Sequence, residues 1–265
     1  MGLMVFLAFI SLFVLYWVPV MMEDNEARHM RDVIDQFGRM KENIDDQIAL
    51  NSEEEKSSLI KLGADGVPMF ERETPSELSL RLADESFNLT FQDSGEDIFE
   101  NSSGSIDLVA YNRFYVKQTI IYENGAILIS QKKGDSLKFE PNLLVELEGS
   151  NVKLTMTMIS LLSDTDESIA GISTEGITTR VWYTDRWTYT NITSINNRIT
   201  LTISSNYLDA WQKHYYSTFN NSGLQSGADY NITSASGKLE IIIDRVSEVS
   251  LSHSYLETYI GKAVS

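Results

Sequence analysis

From Leu3 to Val20 the chain reads LMVFLAFISLFVLYWVPV, eighteen residues without a charge and with one aliphatic hydroxyl, that of Ser11. At about 1.5 Å per residue a helix of this length covers roughly 27 Å, close to the ~30 Å hydrocarbon thickness of a bilayer. The run therefore predicts a membrane-spanning or filament-core helix over residues 1–22. A removed signal peptide would need a basic leader, a shorter apolar stretch and a small-residue cleavage site, whereas Met1 and Gly2 precede this run and Pro19-Val-Met-Met follows. Retention is the expected outcome. Tyr16 and Trp17 stand near the end of the run, where amphipathic rings favour the headgroup zone, and the polar chain begins at Glu23.

Past Pro19, Met30, Val33, Phe37, Met40, Ile44 and Ile48 recur every three or four residues among charged neighbours, the pattern of an amphipathic helix over residues 23–50. Joined to the apolar run it makes a rod of roughly 70 Å, far beyond the average globular helix. Such a stripe needs a covering surface. Two are open: the β domain of its own chain, or the same helix in neighbouring subunits, with Phe6, Phe9, Phe13 and Trp17 extending the packing face through the apolar part. Pro19 is expected to bend the rod, because it lacks a donor and its ring crowds the preceding turn. Residues 51–65 read as a linker, with Asn51-Ser-Glu-Glu-Glu ending the helix or restarting a short one capped by Ser52.

Charge and cysteine usage narrow the setting. Acidic residues outnumber basic ones 38 to 21, for a formal charge of −17, and no Lys/Arg cluster offers the field that nucleic acid requires. The absence of cysteine excludes disulfides and thiolate chemistry, so stability has to come from core size. Asn88-Leu-Thr, Asn101-Ser-Ser, Asn191-Ile-Thr, Asn220-Asn-Ser and Asn231-Ile-Thr each match the N-glycosylation acceptor pattern. Five together, with no cysteine and the acidic excess, lead to the expectation of an extracytoplasmic C-terminal domain.

Residues 66–265 carry the signature of a β-rich head. Leu78–Leu82, Phe87–Phe91 and Val152–Met158 alternate apolar with polar side chains. Arg113–Tyr122 and Ala126–Gln131 flank Asn124-Gly125, a strong hairpin signal because both turn residues tolerate positive φ. Further strands are expected at 144–148, 177–183, 199–204, 238–243 and 255–260, and one short helix at 206–219, with Leu208, Trp211 and Tyr215 on one face. The fold class is thus α+β: a long N-terminal hydrophobic-to-amphipathic helix and a mainly antiparallel β-sandwich, with the sheets crossing over between residues 160 and 175.

Chemistry is sparse. The histidines are His29 on the stalk, His214 on the short helix and His253 near the end, none in a recognisable catalytic setting. Asp164-Thr-Asp166-Glu167 is the best cation candidate, but it lacks the glycine and terminal glutamate of a calcium loop and reads as a solvated acidic turn. Glu53–Glu55 reads as a solvated helix start. Trp182 with Trp187, and Tyr215 with Tyr216, could form a sugar platform, yet strand aromatics are usually core. No cofactor, metal or catalytic residue is assigned, and an enzyme is not expected.

Tyr16-Trp-Val-Pro19, the stalk from His29 to Ile48, Ile60-Lys-Leu-Gly63-Ala-Asp-Gly66-Val-Pro68-Met-Phe70, the hairpin Ile121–Gln131 and Asn206-Tyr-Leu-Asp-Ala-Trp211 together resemble archaeal type IV pilin-like cell-surface proteins. The apolar segment departs from that pattern in carrying no acidic residue, where pilins commonly have a glutamate. The resemblance implies a non-enzymatic filament or surface subunit, its helix in membrane lipid or a filament core, self-associating through that helix, and its head outside for assembly or adhesion. The alternative is a single-pass surface glycoprotein whose head binds a glycan or envelope partner.

Overall fold

The computed structural model describes residues 2–261. One continuous helix runs from Gly2 to Leu50, made of α1 (Gly2–Leu12), a π-helical turn at Phe13–Trp17 and α2 (Val18–Leu50). The π turn explains how Pro19 is tolerated. The Val18 N–H bonds the carbonyl of Phe13, five residues back, and this widening relieves the clash a proline ring makes with the preceding turn. Asn51, in the left-handed conformation at φ 48°, ends the helix.

The strands follow as β1 (Lys56–Lys61), β2 (Ser76–Asp93), β3 (Glu96–Ala110), β4 (Gln118–Glu123), β5 (Ala126–Gln131), β6 (Gly134–Phe139), β7 (Leu143–Glu148), β8 (Asn151–Leu162), β9 (Glu167–Gly171), β10 (Thr174–Tyr189), β11 (Ile199–Ser204), then α3 (Leu208–Asn221), β12 (Tyr230–Ala235), β13 (Lys238–Ile243) and β14 (Val246–Gly261). The small sheet has the order β1-β10-β14-β8-β7; the large one has β12-β13-β11-β2-β3-β4-β5-β6, with β9 also on β2. Pairing is antiparallel except between β14 and β8. The expected crossing at 160–175 is present: β8 and β10 belong to the small sheet, and β9 between them joins the large one. The Asn124-Gly125 hairpin is also present, with φ of 44° and 78° at its two turn residues.

Two expectations about boundaries are corrected. Residues 51–65 are not a plain linker, because Lys56–Lys61 pairs antiparallel with β10 from Lys56↔Thr179 to Lys61↔Thr174. The strand before the hairpin starts at Gln118 rather than Arg113; Arg113, Phe114 and Tyr115 instead direct their N–H groups at the Glu26 carboxylate.

Among the described residues the interior has a small apolar cluster at Val18, Met22 and Val67 and two large ones. One lies under α3, where Trp211, Tyr215 and Phe219 meet Phe87, Leu89, Ile203, Leu239 and Ile241 of the large sheet and Met156, Met158 and Leu251 of the small one. The other lies under α2, where Met30, Val33, Phe37, Met40, Ile44 and Ile48 fill the space between β1 and β10 of one sheet and β4 and β5 of the other. Between the clusters the sheets touch directly. Gly104, at φ 106°, allows this approach, since a Cβ there would stand 2.7 Å from the Cβ of Leu161. The Asn124 side-chain oxygen also crosses at this waist, accepting from Ser102 Oγ at 3.1 Å and from the Ile159 N–H at 2.9 Å.

Candidate functional site

Of the ten residues named for helix packing or assembly, six are used within the chain. Met30, Val33, Phe37, Met40, Ile44 and Ile48 are each at most 5 % exposed, covered by the protein's own head. This corrects the intersubunit reading of the stalk: a stripe already buried at that level has no apolar area left for a neighbour. Phe6, Phe9 and Trp17 are bare, at 59, 68 and 63 % exposed. Phe13 is half-buried in a small cluster with Val18, Met22 and Val67. No side chain of Gly2–Trp17 is buried, although this is the most apolar part of the molecule. A soluble chain does not normally leave so large an apolar surface in water.

Polar residues inside the buried stripe fix how the helix meets the head. Glu26 is fully buried, and its carboxylate accepts from Thr74 Oγ1 at 2.7 Å and from the N–H groups of Arg113, Phe114 and Tyr115 at 3.0, 2.8 and 2.7 Å. Burial pushes its pKa up, but the Tyr115 N–H, the Thr74 hydroxyl and the other two N–H groups outweigh it and hold the carboxyl below its usual range. His29 Nε2 lies 2.8 Å from the Lys61 carbonyl, which requires the tautomer protonated at Nε2; burial lowers its pKa. At the far end Gln47 donates to the carbonyls of Glu54 and Thr179 and accepts from Thr179 Oγ1. A one-residue slip of the helix would break all three sets of contacts.

The structure also assembles a polar chain that the sequence scattered. Ser160 Oγ lies 3.0 Å from His253 Nε2, and Glu100 Oε2 lies 2.9 Å from His253 Nδ1, with the Tyr255 ring stacked on the imidazole at 4.2 Å. The order hydroxyl–imidazole–carboxylate is that of an activated serine. Access is the obstacle: Ser160 and His253 are 6 and 1 % exposed, Ser160 sits within β8, and the surface clefts described are lined by none of the three. Glu100 comes from the large sheet and its two partners from the small one, so the network bridges the sheets. Glu123 is another enclosed acid, its pKa pushed well up by burial and then by the Glu85 carboxylate.

The remaining candidates separate. Asn101, Asn191, Asn220 and Asn231 are exposed and Asn88 is half-buried. Asn88 and Asn101 are direct cross-strand partners, and Asn231 shares their outward face of the large sheet through β11 and β13. In the acidic turn, Asp166 accepts from the Leu82 N–H at 2.9 Å, and among the described residues no group of three or more His, Cys, Asp or Glu is placed to hold a metal ion. Trp187 packs on the core and Trp182 is exposed, Tyr215 is buried and Tyr216 half-buried, so neither pair forms a platform. His214 is buried against Trp211 and Tyr215.

Fold and site together define a β-sandwich head carried on one long helix, whose first third is bare and, by length and composition, able to cross a membrane. No protein-family model matches this chain, and neither a curated protein nor a solved structure is significantly similar to it.

Proposed function

We propose that this is a non-enzymatic, pilin-like surface subunit, held by its N-terminal helix in a membrane or filament core, with the β head outside for assembly or adhesion. One observation carries the reading: a single helix has its amphipathic stripe buried by its own head and its apolar third left uncovered by that head except at Phe13. Self-association, if it uses the helix, therefore runs through Phe6, Phe9, Phe13 and Trp17 and not through the stalk. Expression of the full chain in an archaeal host tests this. The chain is expected to resist alkaline carbonate extraction, with the head cleaved by protease added to intact cells. A carbonate-soluble chain or a protected head would overturn the reading. Negative-stain microscopy after detergent removal separates filament from simple anchor.

A second reading, a head that binds a glycan or envelope partner, draws on a cleft of about 550 Å³ lined by Asp164, Glu167, Trp182, Glu257 and Tyr259 among others. Exposed rings beside carboxylates suit a sugar, whose face stacks and whose hydroxyls donate. Glycan-array binding lost in Trp182→Ala would support it.

A further inference from the structure

The head meets the apolar run before it ends. As a helix Leu3–Val20 covers roughly 27 Å, close to the ~30 Å hydrocarbon layer. Yet the Phe70 ring lies 5.1 Å from the Phe13 ring, and Val67 packs with Phe13, Val18 and Met22. Phe13 lies about 5 Å inside the run if the boundary is at the aromatic pair Tyr16–Trp17, and about 10 Å inside if it is at Val20. A membrane boundary at either place takes in the turn at Val67–Glu71 as well.

That turn is built for such a place. Met69 is 99 % exposed and Phe70 43 % exposed, and they follow Pro68, which has no N–H. The turn closes on itself: the Val67 N–H bonds the Glu71 carbonyl at 3.0 Å, and the Phe70 and Glu71 N–H groups bond the Val67 carbonyl at 3.0 and 2.9 Å. The Val67, Phe70 and Glu71 N–H groups, paired internally, lose little on leaving water, and the polar headgroup boundary can serve the tip's other backbone groups. Met69 holds φ at 69°, a left-handed conformation uncommon for a side chain of this kind, on a residue with no protein around it. Immediately beyond, Glu71 pairs with Arg113 at 2.6 Å, and Arg72 and Glu73 follow, so the apolar tip ends in a charged collar. A depth of about 5–10 Å is that to which apolar faces sink at a membrane interface.

We infer that the Pro68–Met69–Phe70 tip is a second membrane contact, inserted at the headgroup–acyl boundary of the leaflet from which the helix emerges, with Glu71, Arg72 and Arg113 at headgroup level. This rests on the reading of the helix as a membrane span. Its partner is the lipid surface itself. The head's negative charge makes the contact apolar rather than electrostatic, so zwitterionic lipid suffices. Two points of contact hold the head at a fixed height and tilt, where a lone helix would let it pivot.

The chain has no native cysteine, so single probes can be placed cleanly. Full-length Phe9→Cys, Met69→Cys and Leu50→Cys variants, each carrying a polarity-sensitive fluorophore, would be reconstituted in phosphatidylcholine vesicles. Leu50 is 77 % exposed and about 55 Å along the helix from Phe13. The expected result is blue-shifted emission at positions 9 and 69. Iodide quenching at position 69 should be at least about threefold weaker than at position 50, with quenching by shallow lipid-borne spin labels. A lipid-shielded position 9 with a water-exposed position 69 overturns the inference and leaves the span standing. Water exposure at position 9 overturns both. Shielding of position 69 that persists in lipid-free filaments assigns the tip to a second copy of the chain and overturns the lipid contact.

Discussion

Glu26→Gln isolates the contact that ties the helix to the head. The substitution keeps the shape and one acceptor oxygen, but turns the other into an amide NH2 facing the N–H groups of Phe114 and Tyr115, now 2.8 and 2.7 Å from Oε2. Each buried donor left without an acceptor costs about 1–3 kcal/mol, so two give about 2–6 kcal/mol, and local relaxation brings the working value to about 3 kcal/mol. With a urea dependence of about 2–3 kcal/mol/M, the unfolding midpoint falls by about 1–1.5 M. The assay is urea unfolding of the detergent-solubilised full chain, followed by tryptophan fluorescence, to which the fully buried Trp211 contributes. The sign with pH follows from the depressed carboxyl. Its stabilisation is complete above the ordinary glutamate value of about 4.3 and is lost as pH falls through the lower folded value. The gap between wild type and Glu26→Gln should therefore be widest near pH 7 and close at strongly acid pH. A midpoint shift under about 0.3 M at pH 7, or a gap that does not change with pH, would refute the account.

Three further outcomes are expected. His29 is held neutral, with its pKa lowered by burial, so it makes the folded state lose stability as pH falls below about 6.5; His29→Gln should flatten thermal-melt curves between about pH 7 and 5. Gly104→Ala should destabilise by about 2–5 kcal/mol in the same urea assay, since it combines φ 106° with a 2.7 Å approach to Leu161, whereas Gly237→Ala, at φ 74° in open space, should cost about 1–2 kcal/mol. In a host that modifies Asn-X-Ser/Thr, glycans on Asn88 and Asn101 should exclude each other, because directly opposed strand residues place their Cβ atoms about 5 Å apart. Intact-mass spectrometry showing both occupied on one chain would contradict this.

Local periodicity carried much of the fold. The bare apolar run, the stripe from Met30 to Ile48, the Asn124-Gly125 turn and the α3 face of Leu208, Trp211 and Tyr215 are all written within short windows, because a helix or a hairpin turn depends on residues a few positions apart. β3 was illegible for the opposite reason. Its segment EDIFENSSGSIDLVA is polar and glycine-containing, and it is a strand because both sheets close on it: Ser102, Ser105 and Asp107 are buried there and Gly104 admits Leu161. β1 hid in charged sequence in the same way, since its partner β10 lies more than a hundred residues on.

Composition and periodicity specify a long apolar helix towards the N-terminus and a cysteine-free, acidic β head after it. What covers the stalk depends on long-range packing, since an amphipathic stripe is equally suited to its own domain or to a neighbour. Glu26, His29 and Gln47, polar positions inside that stripe, settle it through partners 25 or more residues away in most of their bonds. The same non-local pairing brought Ser160, His253 and Glu100 together and set Phe70 against Phe13. Side-chain periodicity records which face is buried; it carries no information about which distant surface buries it.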